Sequence, residues 1–176
     1  YAIKTYHTGS AWLGAYVQVR DLTIDGESTR KGNADCVGVY VNQTPDFEIV
    51  GVEIKGLQAG DTAGVSSKAQ GIYAEATSPR LKIVNSLVHD IGTTTGTINA
   101  QEHGVYYGGH DCLIDGNIVY NCPNGFGVQE YNSGNPVNGA AIVSNTVWGT
   151  IEKSCLILSG NGAGHRVHNN ILGGAT

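Results

Sequence analysis

The chain has 176 residues with a formal net charge of −5, and it carries 26 glycines but no methionine. That length suits one domain, and an acidic chain without a basic stripe is not a nucleic-acid binder. No apolar run approaches the roughly 20 residues of a membrane-spanning helix.

Tyr1 opens the chain and no leader is visible, so either a leader has been removed or the chain is an excised domain; of the two, the expectation is a secreted, extracellular or cell-surface protein. Residues 1–13 lack the repeat that follows and are expected to be a short N-terminal cap. From Val19 onward a six-residue pattern recurs six times, at 19–24, 49–54, 83–88, 114–119, 142–147 and 167–172, with starts 30, 34, 31, 28 and 25 residues apart. Its first position is Ile or Val and its sixth Ile, Val or Leu. The third is a turn former, namely Asp21, Gly51, Asn85, Gly116, Ser144 or Asn169. The fourth runs Leu22, Val52, Ser86 and then Asn117, Asn145 and Asn170. Repetition near this length, built from short strands and tight turns, predicts a solenoid.

A second strand precedes each pattern. It reads Gly38-Val39-Tyr40-Val41, Gly71-Ile72-Tyr73-Ala74, Gly104-Val105-Tyr106-Tyr107 and Gly127-Val128-Gln129-Glu130, and more loosely Leu156-Ile157-Leu158. Alternation along a strand turns Val39, Ile72, Val105 and Val128 inward and Tyr40, Tyr73, Tyr106 and Gln129 outward as a column. Each coil then holds three strands. Insertions at 27–37, 57–70, 91–103 and 132–139 are the expected loops, and 172–176 is too short for a C-terminal cap. The bare coil end implies either an omitted segment or self-association with a partner subunit.

The stacked amides Asn117, Asn145 and Asn170 form an asparagine ladder, and on that motif the chain resembles the right-handed parallel β-helix (pectate-lyase-like) superfamily over about residues 14–173. The resemblance implies an all-β, right-handed parallel β-helix of about six coils in a single domain, 1–176. A left-handed solenoid would need strict hexapeptide repeats. Secreted members are commonly polysaccharide lyases, hydrolases or uronate epimerases, so it implies a lyase or epimerase acting on an acidic polysaccharide along the face of one stacked strand.

On that face the candidate catalytic residues are Tyr106 and His110, four apart across the Gly108-Gly109 bend and suited to proton transfer, with Arg80 to neutralise a uronate carboxylate. Tyr40, Tyr73, Glu75, Gln129 and Tyr131 are the candidate substrate-binding residues, since apolar sugar faces stack on rings while hydroxyls need polar partners. Glu75 with Glu130 offers a hydrolase arrangement, although alternation puts Glu130 in an inward slot, which signals a slip of register. No cofactor is specified. Asp111 and Asp115 have the chemistry to hold Ca²⁺, whereas acidic side chains in Gly-rich turns generally cap backbone N–H groups. Lys55, His89, Tyr120 and Trp148 form a second outward column; adjacent Tyr120 and Trp148 have the chemistry of a sugar platform, but the expectation is that the long loops fold over them. Asn42-Gln43-Thr44 is a glycosylation sequon followed by Pro45. Cys36, Cys112, Cys122 and Cys155 lack CxxC spacing; a zinc site is not expected, and one disulfide of open pairing is compatible with secretion. The rival reading is a non-catalytic structural or adhesive module whose coil ends stack on neighbours.

Overall fold

The structure is a computed structural model that describes residues 1–5, 16–27, 35–59, 68–92, 101–133, 135–150, 153–159 and 161–174. The described residues form eighteen short strands and no helix. In chain order the first coil contributes β1 (Ile3–Thr5), β2 (Val17–Arg20) and β3 (Thr23–Asp25), and the second β4 (Cys36–Val41), β5 (Phe47–Val50) and β6 (Glu53–Leu57). The third adds β7 (Ala69–Ala74), β8 (Lys82–Val84) and β9 (Leu87–Ile91), and the fourth β10 (His103–Tyr107), β11 (Leu113–Asp115) and β12 (Ile118–Tyr120). The last two hold β13 (Val128–Glu130), β14 (Ala141–Val143) and β15 (Thr146–Trp148), then β16 (Leu156–Leu158), β17 (Arg166–His168) and β18 (Ile171–Gly173).

Every third strand pairs, giving three six-stranded sheets: β1-β4-β7-β10-β13-β16, β2-β5-β8-β11-β14-β17 and β3-β6-β9-β12-β15-β18. All the pairings are parallel. The fold is therefore a parallel β-helix. Residues 1–13 contribute Ile3–Thr5 as the edge strand of the first sheet, paired to Val39–Val41. Most of each of the first three predicted insertions lies outside the described residues.

Apolar residues at the repeat positions face a common interior. Val39, Ile72, Val105 and Val128 of the first sheet are fully buried, as are Ile49, Ile83 and Ile114 of the second and Ile54, Val88 and Val119 of the third. Cys112 occupies the same kind of buried slot as Phe47, Leu81 and Ala140. All four cysteines are free thiols, so the disulfide that the sequence left open is not formed, and burial pushes the Cys112 and Cys122 thiols up to about 12.

Between the second and third sheets the chain turns through one left-handed residue per coil. These are the third positions of the repeat: Asp21, Gly51, Asn85, Gly116, Ser144 and Asn169, with φ between 50° and 66°. Asn, Asp and Gly tolerate that region best, which is why turn formers recur there. The next residue points into the turn. Asn145 Oδ1 accepts from the Asn117 backbone N–H and side-chain amide, both at 3.0 Å, and Asn170 Oδ1 does the same for Asn145 at 2.9 and 3.0 Å. Asn117 Oδ1 accepts from the Ser86 N–H at 2.9 Å, and the Ser86 hydroxyl continues the run by accepting from the Val52 N–H at 3.2 Å.

Candidate functional site: a tyrosine-lined groove on the first sheet

The outer face of the first sheet carries Lys4, Tyr40, Tyr73, Tyr106, Gln129 and Ile157 in strand register. Successive tyrosine rings sit 5.3 Å (Tyr40–Tyr73) and 4.9 Å (Tyr73–Tyr106) apart. Tyr1 extends the array at 5.1 Å from Tyr40, and the Lys4 ammonium lies over both of those rings. Toward the other end, Tyr131 lies 6.2 Å from Tyr106.

A groove of about 330 Å³ opens beside this array, lined by Lys68, Gln70, Tyr73, Gln101, His103, Tyr106, Gln129 and Tyr131. Four predicted binding or catalytic residues (Tyr73, Tyr106, Gln129 and Tyr131) are thus brought together. Lys68, Gln70 and Gln101 were not legible as partners, whereas His103 was legible as lying in or beside a turn that flanks the tyrosine face. Strict alternation from Tyr106 would turn His103, three residues earlier, inward. The alternation slips at the glycine between them, because a Cβ on Gly104 would point at core atoms of Val119 and Cys122 while Val105 is itself fully buried. Gly104 and Val105 both face the interior, so His103 returns to the outer face and its ring stacks 5.8 Å from Tyr106. Gln70 pairs with His103 in register and follows the same path. The Gly-apolar-Tyr motif held this signal.

The groove is rich in hydrogen-bond donors. Burial pushes Tyr106 up to about 12, helped by Glu75 and Tyr131, and raises Tyr73 further, so both hydroxyls keep their protons at neutral pH. The Lys68 ammonium lies 5.8 Å over the Tyr73 ring. His103 is packed against Phe126 as well as Tyr106, and burial, with Lys68 nearby, lowers it to about 4. It is neutral at pH 7. Its Nδ1 accepts from the Phe126 N–H at 3.0 Å, which fixes the remaining proton on Nε2. Against these donors stand two acceptors: the buried side-chain oxygens of Gln70 and Gln129 have no hydrogen-bond partner among the described residues.

Tyr40 and Glu75 lie outside the lining. Tyr40 donates to Glu75 at 3.0 Å and is pushed up to about 12, chiefly by burial, so Glu75 steadies the tyrosine array. Arg80 and His110 are also outside the lining and meet each other instead in the turn between the first and second sheets, where the Arg80 N–H donates to the His110 carbonyl at 2.7 Å. Arg80 sits there at φ 59° and grips Asp46 with two bonds of 2.6 and 2.7 Å. His110 Nδ1 accepts from the Asn138 N–H at 3.1 Å. The Gly108-Gly109 bend carries the chain around the corner of the coil, so the spacing that suggested convergence separates Tyr106 from His110. Lys68 is the cation that the groove itself offers.

Glu130 is inward and fully buried, in register opposite Tyr107, so no slip of pairing accounts for it. It accepts from the Tyr107 hydroxyl at 3.2 Å, and His165 Nδ1 lies 3.4 Å away. This arrangement places it in the core, away from Glu75 and any hydrolytic pairing. Asp111 occupies the same corner column as Arg80, and Asp115 is on β11; no cluster of three His, Cys, Asp or Glu side chains suited to a metal occurs among the described residues. Asn42 of the sequon is half-buried, its side-chain carbonyl accepting from the Thr77 hydroxyl at 3.1 Å. No helix among the described residues is long and apolar enough to cross a membrane.

The low value at His103 makes stability pH-dependent. An unfolded histidine titrates near 6.5, so between about pH 6.5 and pH 4 the unfolded chain binds a proton that the folded chain refuses. Stability is full above that window and falls by about 3 kcal/mol across it, at 1.36 kcal/mol per pH unit. Urea denaturation at pH 7 and pH 4 measures the loss, and His103→Gln is expected to reduce it by about that amount.

Fold and groove together define a parallel β-helix with an aromatic, donor-rich face. The chain matches no protein-family model, no curated protein and no solved structure with which it was compared.

Proposed function

We propose that this protein is a carbohydrate-active β-helix that binds an acidic polysaccharide along the tyrosine groove of its first sheet. The observation that carries the reading is the pair of unpartnered acceptors, Gln70 Oε1 and Gln129 Oε1, set among tyrosine rings. A buried acceptor left unsatisfied costs about 1–3 kcal/mol, so the groove favours a ligand that brings donors. Sugar hydroxyls supply them while the apolar face of the ring stacks on Tyr73, Tyr106 or Tyr131. Lys68 and the Nε2–H of His103 suit a uronate carboxylate.

A lyase or epimerase step at that uronate needs a base to take the C5 proton. In the groove the imidazole of His103 is the candidate with a neutral nitrogen base, and its lone pair is engaged by the Phe126 N–H. Proton abstraction therefore requires that bond to break, which makes saccharide recognition the stronger part of the reading. Titration calorimetry with oligogalacturonate and with neutral oligosaccharides of equal length tests it. Lys68→Ala is expected to weaken the acidic ligand about tenfold, or 1.4 kcal/mol, and to leave neutral ones unchanged. Tyr106→Ala should weaken both. Failure of acidic oligosaccharides to bind at all would overturn the proposal, and release of unsaturated uronate products would add the lyase step.

A second reading, a structural or adhesive module, draws support from the last coil, where Val167, Ile171 and Leu172 are 43%, 68% and 48% exposed. Stacking of coil ends would cover them. Sedimentation across a concentration series should then show reversible association; a strict monomer throughout is the contrary result.

A further inference from the structure

Two histidines tie successive coils together through one clamp geometry. The Phe126 N–H donates to His103 Nδ1 at 3.0 Å, and the Gly104 N–H, next after that histidine, donates to the Phe126 carbonyl at 3.0 Å. The Asn138 N–H donates to His110 Nδ1 at 3.1 Å, and the Asp111 N–H donates to the Asn138 carbonyl at 2.8 Å. In each case a residue of the next coil is gripped by both of its backbone groups, with the imidazole standing where a strand would offer a carbonyl. The clamp recurs with other acceptors. Asp35 Oδ1 takes the Lys68 N–H at 2.9 Å while the Cys36 N–H donates to the Lys68 carbonyl at 2.7 Å. Asn138 Oδ1 takes the Ala163 N–H at 2.8 Å while the Gly139 N–H donates to the Ala163 carbonyl at 3.0 Å. An amide oxygen accepts whatever the pH, whereas an imidazole nitrogen accepts only while it carries no proton.

Both histidine clamps fall at the junction of the fourth and fifth coils, one before β13 and one after it. Between Phe126 and Asn138 lie Gln129 and Tyr131, which form one side of the groove. We propose that His103 and His110 are an acid-operated release for this side of the groove. A second proton on either ring turns its Nδ1 from acceptor to donor, expels the backbone N–H it held and frees that flank of β13 while the other coils stay folded. The ladder of β13 to β10 needs no imidazole, so the opening is confined to the flanks. His103 shares the groove with the Lys68 ammonium and with Tyr73, Tyr106 and Tyr131, and the clamped turn, residues 122–127, brings the Cys122 thiol. The Glu102 carboxylate, next in the chain, accepts from the Asn124 amide at 2.9 Å. Burial, with Lys68 adding a like charge, lowers His103 to about 4, so this clamp is closed at pH 7 and gives way as the pH falls through that value. At His110 the corner brings Arg80 with its partner Asp46, then Asp111 and the Cys112 thiol. His165, one coil on, is turned toward Glu130 at 3.4 Å. The device concerns the wall of the groove and not its occupant, so it stands apart from the saccharide reading.

Hydrogen exchange read residue by residue by nuclear magnetic resonance tests this, with the titration of each imidazole followed in the same samples as the pH is lowered. The Phe126 N–H should lose protection at least about tenfold as the His103 ring takes up its proton, and the Asn138 N–H likewise with the His110 ring. The Ala163 N–H, held in the same clamp by an amide oxygen, should keep its protection, as should the Val128 N–H, which donates to the Cys155 carbonyl at 2.8 Å. His103→Asn and His110→Asn install an acceptor that does not titrate and should make protection at Phe126 or Asn138, respectively, independent of pH. The proposal is overturned if either amide stays protected after its histidine has been protonated, or if the pH dependence persists in the asparagine variants. Loss of protection at Ala163 and Val128 together with the other two also overturns it, because that is unfolding and not release. The wild-type chain is decisive by itself, so a variant that fails to fold leaves the test intact.

Discussion

Gly104→Ala is expected to destabilise the protein by about 3 kcal/mol or more, because the added methyl overpacks a site with no room to relax. The Cβ would sit 2.7 Å from the Gly127 carbonyl oxygen and 2.5 Å from a Val119 methyl. Gly38, Gly71 and Gly127 repeat the contact, each 2.5 to 2.7 Å from the carbonyl oxygen of the residue one coil on. The first and third sheets approach each other along this column, and backbone cannot step aside as a flexible side chain could. Urea denaturation measures the cost. Gly173→Ala is the control, since its Cβ meets open space, and it should change stability by no more than about 0.5 kcal/mol.

Asn145→Ala should cost about 3–4 kcal/mol, the sum of lost bonds and stranded partners in a buried turn. Its side-chain oxygen receives two bonds from Asn117, and its amide donates to the Ile114 and Val143 carbonyls at 2.9 Å each. Alanine leaves the buried Asn117 N–H without its acceptor and breaks a run of bonds that crosses several coils. Asn170→Ala, nearer the exposed end, should lose less, because Asn170 is only half-buried. Equal losses at both positions would contradict the cross-coil account. Denaturant unfolding followed by far-ultraviolet circular dichroism separates the outcomes.

The scaffold was legible because its causes are local and repeated. A left-handed corner admits few residue types, so Asp21, Asn85 and Asn169 advertise it, and the flanking Ile and Val columns must fill one interior. The tyrosine array was legible for the same reason, since strand alternation alone projects it outward. Gln70, and the aim of His103 into the groove, were hidden by the failure of alternation at a glycine packed against the opposite sheet. Arg80 and His110 were misplaced because a sequence separation of a few residues says nothing about which side of a corner they occupy. Arg80's partner, Asp46, is 34 residues away in the chain and one coil away in space. Glu130 and its contacts with Tyr107 and His165 likewise depend on neighbours in register rather than in sequence.

The left-handed corner residues have a consequence for how such a chain can change its length. Asn85 and Gly116 occupy equivalent points of successive coils, 31 residues apart, with backbone angles of 50° and 66°. Joining Val84 to Gly116 would remove one complete turn of the chain and meet the same geometry on the far side of the junction. Duplication at that point would insert one equally cleanly. The natural unit of insertion and deletion in this protein is therefore the entire coil, and the span of its tyrosine-lined face can be altered by editing whole repeats while every remaining corner stays as it was.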